Sequence, residues 1–187
     1  MLRILLALLV LAGPALAQET VVAGLSQKRV AITANFDGTG ILIFGAVKRE
    51  TPPPDAGPLQ VVIAVAGPST PVTVRRKEKI LGIWVNKDSI EVDSAPSFYA
   101  IASTVPFEMA VSETEDLRYK ISINNMIRNV GEEGKAADSA AVFTDAVIRI
   151  RNNNGLYSES SGIVDLSEET LFNTQIALPS NLVEGDY

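Results

Sequence analysis

Histidine and cysteine are both missing from this chain, and the two absences remove more chemistry than any other feature of it. Without them there is no Ser-His-Asp or Cys-His nucleophile, no thiol redox centre, no zinc site of the usual kind, no iron–sulfur cluster and no disulfide. The serines have no G-x-S-x-G elbow either, which leaves a Ser-Lys dyad as the one serine chemistry still open. Positive charge is scarce: 16 Lys and Arg stand against 22 Asp and Glu, for a net charge of −6. That balance disfavours nucleic acid as a partner. No apolar run reaches the roughly 20 residues a spanning helix needs; the stretch from Ile4 to Ala17 covers 14, Gly-Pro included. No internal repeat and no low-complexity tract is found. What is there, 187 residues with 47% hydrophobic and 20% charged side chains, suffices for one domain with a packed core.

The first residues carry an address. Arg3 supplies a positive charge, Ile4 to Ala12 is unbroken apolar sequence, Gly13-Pro14 breaks any helix, and Ala15-Leu16-Ala17 is a small-x-small cleavage site before Gln18. These are the parts of a secretory signal peptide over residues 1–17, cleaved between Ala17 and Gln18. Residues 18–187 are then a single exported domain, and an exported chain without cysteine fits a bacterial periplasm.

The first half of that domain reads as β-structure. Residues 28–36 alternate, Asp37-Gly38 marks a type I′ hairpin turn, and Ile41 to Val47 is apolar on both faces, as in the middle of a sheet. Four prolines between Lys48 and Pro58 make a loop. Leu59 to Ala66 is a third strand, Pro68 to Pro71 a turn, and Val72 to Asn86 one bent strand or two short ones, with Gly82 a bulge. Pro96 to Val105 is a further strand. From there the pattern changes. Ser112-Glu113-Thr114-Glu115 is a capping box that opens a helix near Glu113, although Leu117, Tyr119, Ile121 and Ile123 also alternate as a strand would. Residues 131–134 are a loop. Ala136, Ala140, Phe143, Val147 and Ile150 then form a helical stripe, with Asn152 to Gly155 as its stop. Short strands follow at Gly162 to Leu166 and Thr170 to Leu178.

The order of elements predicts a mainly β fold: an antiparallel immunoglobulin-like sandwich with a helical insertion at about residues 112–153. A looser α+β arrangement is the alternative. Pro179 through Gly185-Asp186-Tyr187 reads as the corner before the penultimate strand of such sandwiches, where a Tyr hydroxyl bonds back to upstream backbone. The sandwich is thus expected to lack its last strand or strands, through truncation or because a partner supplies them.

Several of these segments together resemble the alphaproteobacterial transmembrane protein family Alph_Pro_TM. They are Asn35 to Gly38 running into Ile41 to Ala46, Val74 to Glu78 with Gly82-Ile83-Trp84-Val85-Asn86, Pro96 to Ala100, Gly155-Leu156-Tyr157, Leu178 to Asn181 and Gly185 to Tyr187. The resemblance implies a signal peptide, an exported domain, a C-terminal spanning helix and a neighbouring permease of the sulfite-exporter type. It carries over no activity, no cofactor and no catalytic residue. This sequence departs from the pattern in ending before the spanning helix.

Three places invite a functional reading, each beside a plainer one. Arg75, Lys77 and Lys79 share one strand face, about 6.6 Å apart. They are either a cationic strip for headgroups, an anion or an acidic partner, or a strand kept from aggregating by its charge. Trp84 is either an interface anchor or a buried residue of a central strand. Phe98 and Tyr99 face opposite sides, so one ring is core and the other is available to a partner. Glu113, Glu115 and Asp116 are the one tight acid cluster; capping and the helix dipole account for it without catalysis. No metal-ligand pattern is present. The leading expectation is a non-enzymatic periplasmic domain that assists or regulates an inner-membrane permease. The alternatives are a small-oxyanion-binding protein using Arg75, Arg76 and Lys77, and an enzyme using carboxylates such as Glu113 and Glu115.

Overall fold

The computed structural model describes residues 19–27, 29–30, 38–49, 57–129 and 137–187. The signal peptide and its cleavage site, Asp37 of the expected hairpin turn and residues 131–134 lie outside them; the strand that follows Gly38 pairs with Glu19–Leu25 and Leu171–Leu178, not with Arg29–Val30 as that hairpin would require.

The fold is mainly β, a sandwich with helices laid on one side. The first sheet has the order β1-β3-β10-β9, from β1 (Glu19–Leu25), β3 (Thr39–Arg49), β10 (Leu171–Leu178) and β9 (Asp165–Ser167), antiparallel throughout. Strict alternation along β10 buries Phe172, Thr174, Ile176 and Leu178 on one face, the pattern of a strand with one wet side. β3 is central, as expected. It is not apolar-covered on both faces, however: Ile41, Ile43 and Val47 enter the core while Leu42 and Phe44 stay exposed.

The second sheet has the order β4-β7-β8, from β4 (Val62–Ala66), β7 (Tyr99–Ser103) and β8 (Tyr157–Ser161). The β7–β8 pair is parallel, because the chain leaves β7, crosses over through four helices and returns in the same direction. Those helices are α1 (Phe107–Ala110), α2 (Glu113–Tyr119), α3 (Ile123–Met126) and α4 (Ala137–Asn153). Every residue of β7 is buried, since one face meets the first sheet and the other the helices. The sequence-level signal missed β8 because its Tyr-Ser-Glu-Ser-Ser is polar; pairing with a buried strand, rather than hydrophobicity, makes it a strand.

Both helix starts and stops follow the local chemistry. The Ser112 hydroxyl accepts from Glu115 N at 3.3 Å, so the capping box prevails over the competing alternation. α4 ends where Gly155 adopts φ 69°, and Leu156 N bonds back to Arg151 O at 2.9 Å. The helices run from Phe107 to Asn153, beginning with α1 ahead of the expected start near 112. The terminal corner is also formed: Tyr187 Oη donates to Val183 O at 2.7 Å, and β11 (Gly185–Asp186) pairs with β2 (Arg29–Val30).

The largest departure from expectation is the segment 69–96. It is a hairpin of two long strands, β5 (Ser69–Ile80) and β6 (Ile83–Pro96), rather than one bent strand or two short ones with Gly82 as a bulge. Leu81 and Gly82 are its turn, with φ of 50° and 88°, the double positive φ of a type I′ turn. The turn was hard to see because leucine is a poor left-handed residue. Nor do Pro68 to Pro71 form a turn. Pro71 falls at a register shift between Thr70 and Val72, a place where a missing N–H is tolerated. The hairpin continues the β4–β7 ladder through Gly67 N to Phe98 O at 2.9 Å and Ser97 N to Pro68 O at 2.8 Å. One antiparallel ribbon therefore runs from the heart of the core out to Leu81.

Candidate functional site

The outer half of that ribbon is an arm. Near its root Val74, Ile90, Val92 and Ala95 are buried, and Val74 lies with Phe143 of α4 in the wall of one cleft. Beyond that point both strands are exposed on both faces, from Arg75 to Ile80 and from Ile83 to Lys87. Five steps separate Arg75 from Ile80, so the arm projects by roughly 17 Å.

Opposite residues of an antiparallel pair share a face, and the register therefore sorts the arm into two sides. One carries Arg75 opposite Ser89, Lys77 opposite Asn86, and Lys79 opposite Trp84. The other carries Arg76 opposite Asp88, Glu78 opposite Val85, and Ile80 opposite Ile83. On that second side the charges are matched: Arg76 pairs with Asp88, and the bulge residue Lys87 reaches Glu78 at 2.5 Å. Arg75, Lys77 and Lys79 have no carboxylate partner among the described residues. The register thus sets the three cations of the strip on one face, with Arg75 and Lys77 also lining a cleft against α4.

Trp84 is 64% exposed. It is no buried residue of a central strand, because the strand carrying it has left the body by that point. Phe98 and Tyr99 go the other way. Both are buried, at 1% and 2% exposure, which corrects the expectation that one ring would be available. Phe98 packs against the Tyr187 ring at 6.0 Å between centroids, while Tyr99 Oη donates to Ile121 O at 2.7 Å. β7 is covered on both sides, so alternation presents neither ring to solvent. Sequence reasoning also missed the tip: Leu81 is 99% exposed, and Ile80 and Ile83 flank it in the open. The available signal was a Leu-Gly pair between two strand-like runs.

The acid cluster resolves into local structure. Asp116 accepts from Ile121 N at 3.0 Å, Ser122 N at 2.6 Å and Asn125 Nδ2 at 2.8 Å. Partial burial works to raise this carboxyl, but those hydrogen bonds outweigh it and hold the carboxyl below its ordinary range. Glu113 and Glu115 open α2. A cleft of about 560 Å³ does collect Glu108, Glu113, Asp116 and Glu159, and the Glu159 carboxyl is pushed up by burial and then by the charge of Glu108. Glu108 and Glu159 were not legible as neighbours, since 51 positions separate them and only the crossover unites them. Among the described residues, no three acids come close enough together to hold a metal ion.

A family model described as "Putative transmembrane protein (Alph_Pro_TM)" matches residues 20–187. The chain belongs to that family. No curated protein and no solved structure matches it. Among the described residues no helix is long and apolar enough to cross a membrane. What this member of the family displays is an acidic body carrying a basic, apolar-tipped arm.

Proposed function

We propose that this is an exported, non-enzymatic contact domain that works at the face of an inner membrane, held there in anchored relatives, and that it assists or regulates a membrane-embedded transporter. One observation carries the reading: the β5–β6 arm runs out past α4 to an exposed apolar tip, and its cations Arg75, Lys77 and Lys79 have no carboxylate partner among the described residues. Five basic and two acidic side chains lie between Arg75 and Asp88, in a chain whose net charge is −6. An exposed apolar strand tip is an aggregation liability, so keeping one requires a use. A photo-crosslinking residue at position 79, activated in intact cells, should capture a polytopic permease, and Arg75→Glu with Lys77→Glu should lower the yield at least fivefold. Capture of no membrane protein, or a yield indifferent to the reversal, would overturn it.

A second reading, binding of a small oxyanion, draws on a cleft of about 490 Å³ between the arm and α4, lined by Arg75, Arg76, Lys77, Arg149 and Asp145 among others. Against it, Arg76 is already engaged by Asp88, and neighbouring strand residues point to opposite faces. Calorimetry with sulfite and sulfate tests it, with Arg149→Ala as the control that should abolish any heat.

A further inference from the structure

We infer that the tip of the β5–β6 arm is a membrane anchor: Ile80, Leu81, Ile83 and Trp84 enter the headgroup–acyl boundary of a bilayer containing anionic lipid, with Lys79 and Lys77 at its phosphates and Arg75 attracted from behind them. This deepens the contact reading above by naming lipid as what the arm touches.

The turn is the first argument. A leucine in the left-handed region costs about 1–2 kcal/mol against its ordinary backbone, and a type I′ turn favours Asn-Gly at this position. Leu81 takes that conformation with φ 50° while 99% exposed. It contributes neither good turn geometry nor burial to the folded domain. Strain and exposed apolar surface at one residue point to a role outside the fold.

The order of side chains along the arm is the second argument. From the tip inward come Leu81 with Ile80 and Ile83, then Trp84 opposite Lys79, then Lys77 opposite Asn86, then Arg75. At about 3.3 Å per residue, Lys79 lies roughly 7 Å behind Leu81, Lys77 roughly 13 Å, and Arg75 roughly 20 Å. Interfacial segments bury their apolar side by about 5–10 Å. Leu81 and its neighbours would then reach the acyl boundary while Trp84 sits at headgroup level, where amphipathic rings concentrate. Lys79 and Lys77 would stand at the phosphates, and their long stems allow further reach. Arg75 would lie within about one Debye length of the surface. The carboxylates nearby do not undo this: Glu78 is matched by Lys87 and Asp88 by Arg76. The acidic remainder of the protein would be repelled by the same surface, which favours contact through the arm alone.

The chain supplies its own probe, because Trp84 is the single tryptophan. The purified protein should bind vesicles of phosphatidylglycerol and phosphatidylethanolamine, with Trp84 emission shifting to the blue and being quenched by brominated acyl chains; phosphatidylcholine vesicles should give little response. Each basic residue near an anionic surface is worth roughly fivefold in partitioning at low salt. Arg75→Gln, Lys77→Gln and Lys79→Gln together should therefore weaken binding by on the order of a hundredfold. Leu81→Asn suits the turn better than the native residue, so it tests insertion without endangering the fold, and it should lower binding and quenching at least fivefold. Binding with Trp84 left unquenched would overturn the proposal, as would binding that both variants leave intact. No binding to anionic vesicles, with a permease still captured from cells, would overturn the lipid anchor and leave the contact reading standing. Failure of both experiments would remove both.

Discussion

The body and the arm are built from the same ribbon, yet they obey opposite rules. In β7 every side chain is buried, and Phe98, Ile101 and Ser103 are among the most enclosed residues described. At the far end of the same ribbon, Ile80, Leu81, Ile83 and Trp84 are as apolar and lie in the open. Hydrophobic sequence thus has two meanings in one structural element. In the body it is stabilisation, worth roughly 1.5–3 kcal/mol for each large side chain buried. On the arm it contributes nothing to folding. The arm is a strand pair without a sheet on either side, a state that is marginal in water unless one end is fixed; here the β4–β7 ladder fixes it.

The sharpest way to break this contrast is to truncate one residue on each side of it. Phe98→Ala should lower unfolding free energy by about 3–5 kcal/mol in urea titrations followed by circular dichroism, whereas Trp84→Ala should stay within about 0.5 kcal/mol. A comparable loss from Trp84→Ala would mean that the arm is packed after all. Asp116→Ala comes next. It orphans Ile121 N and Ser122 N, and a loss of about 1.5–3 kcal/mol is expected in the same titration. Because that carboxyl is held below its ordinary range, its contribution is present at neutral pH and is lost as pH falls through the lowered value, so the variant should show a flatter acid limb.

At the alkaline end, burial raises the Tyr99 and Tyr157 hydroxyls from 10.0 to about 12. The folded state then holds protons that the unfolded state has released. Stability should accordingly decline between pH 10 and about 12, and less steeply in Tyr99→Phe. That substitution should itself cost about 1 kcal/mol at neutral pH through the lost bond to Ile121 O. The smallest effect has the opposite sign. Leu81→Asn should leave stability unchanged or raise it by up to about 1 kcal/mol in thermal unfolding, since the turn is relieved and no buried contact is lost. A clear loss would show that Leu81 packs against something in the folded domain.

How much of this was legible beforehand depended on whether the signal was local. The Ser112 cap, the α4 helix with its Asn-Gly stop, the strand at Thr170 to Leu178 and the Tyr187 corner each express an interaction within a few residues, and each is found in the structure; of the α4 stripe, Phe143 and Val147 are buried while Ile150 is exposed. β8 was invisible because its five polar residues owe their strand to a neighbour, Tyr99 to Ser103, that lies far away in sequence. The arm was misread for the complementary reason. Val72 to Asn86 has strand-like composition, and nothing in that composition says where the body stops. Spacing put Arg75, Lys77 and Lys79 on one face correctly, since alternation is a backbone property, but it could not say that Arg76 and Glu78 were already paired across the ribbon.

By itself the sequence determined the mainly β class, the place of the helical insertion and the exclusion of histidine and cysteine chemistry, because composition and short-range periodicity act without reference to distant residues. Only the tertiary structure decided which apolar side chains are core and which are display. Burial is a relation between segments far apart in the chain: the crossover helices and the first sheet close over Phe98 and Tyr99, and nothing described closes over Leu81 and Trp84.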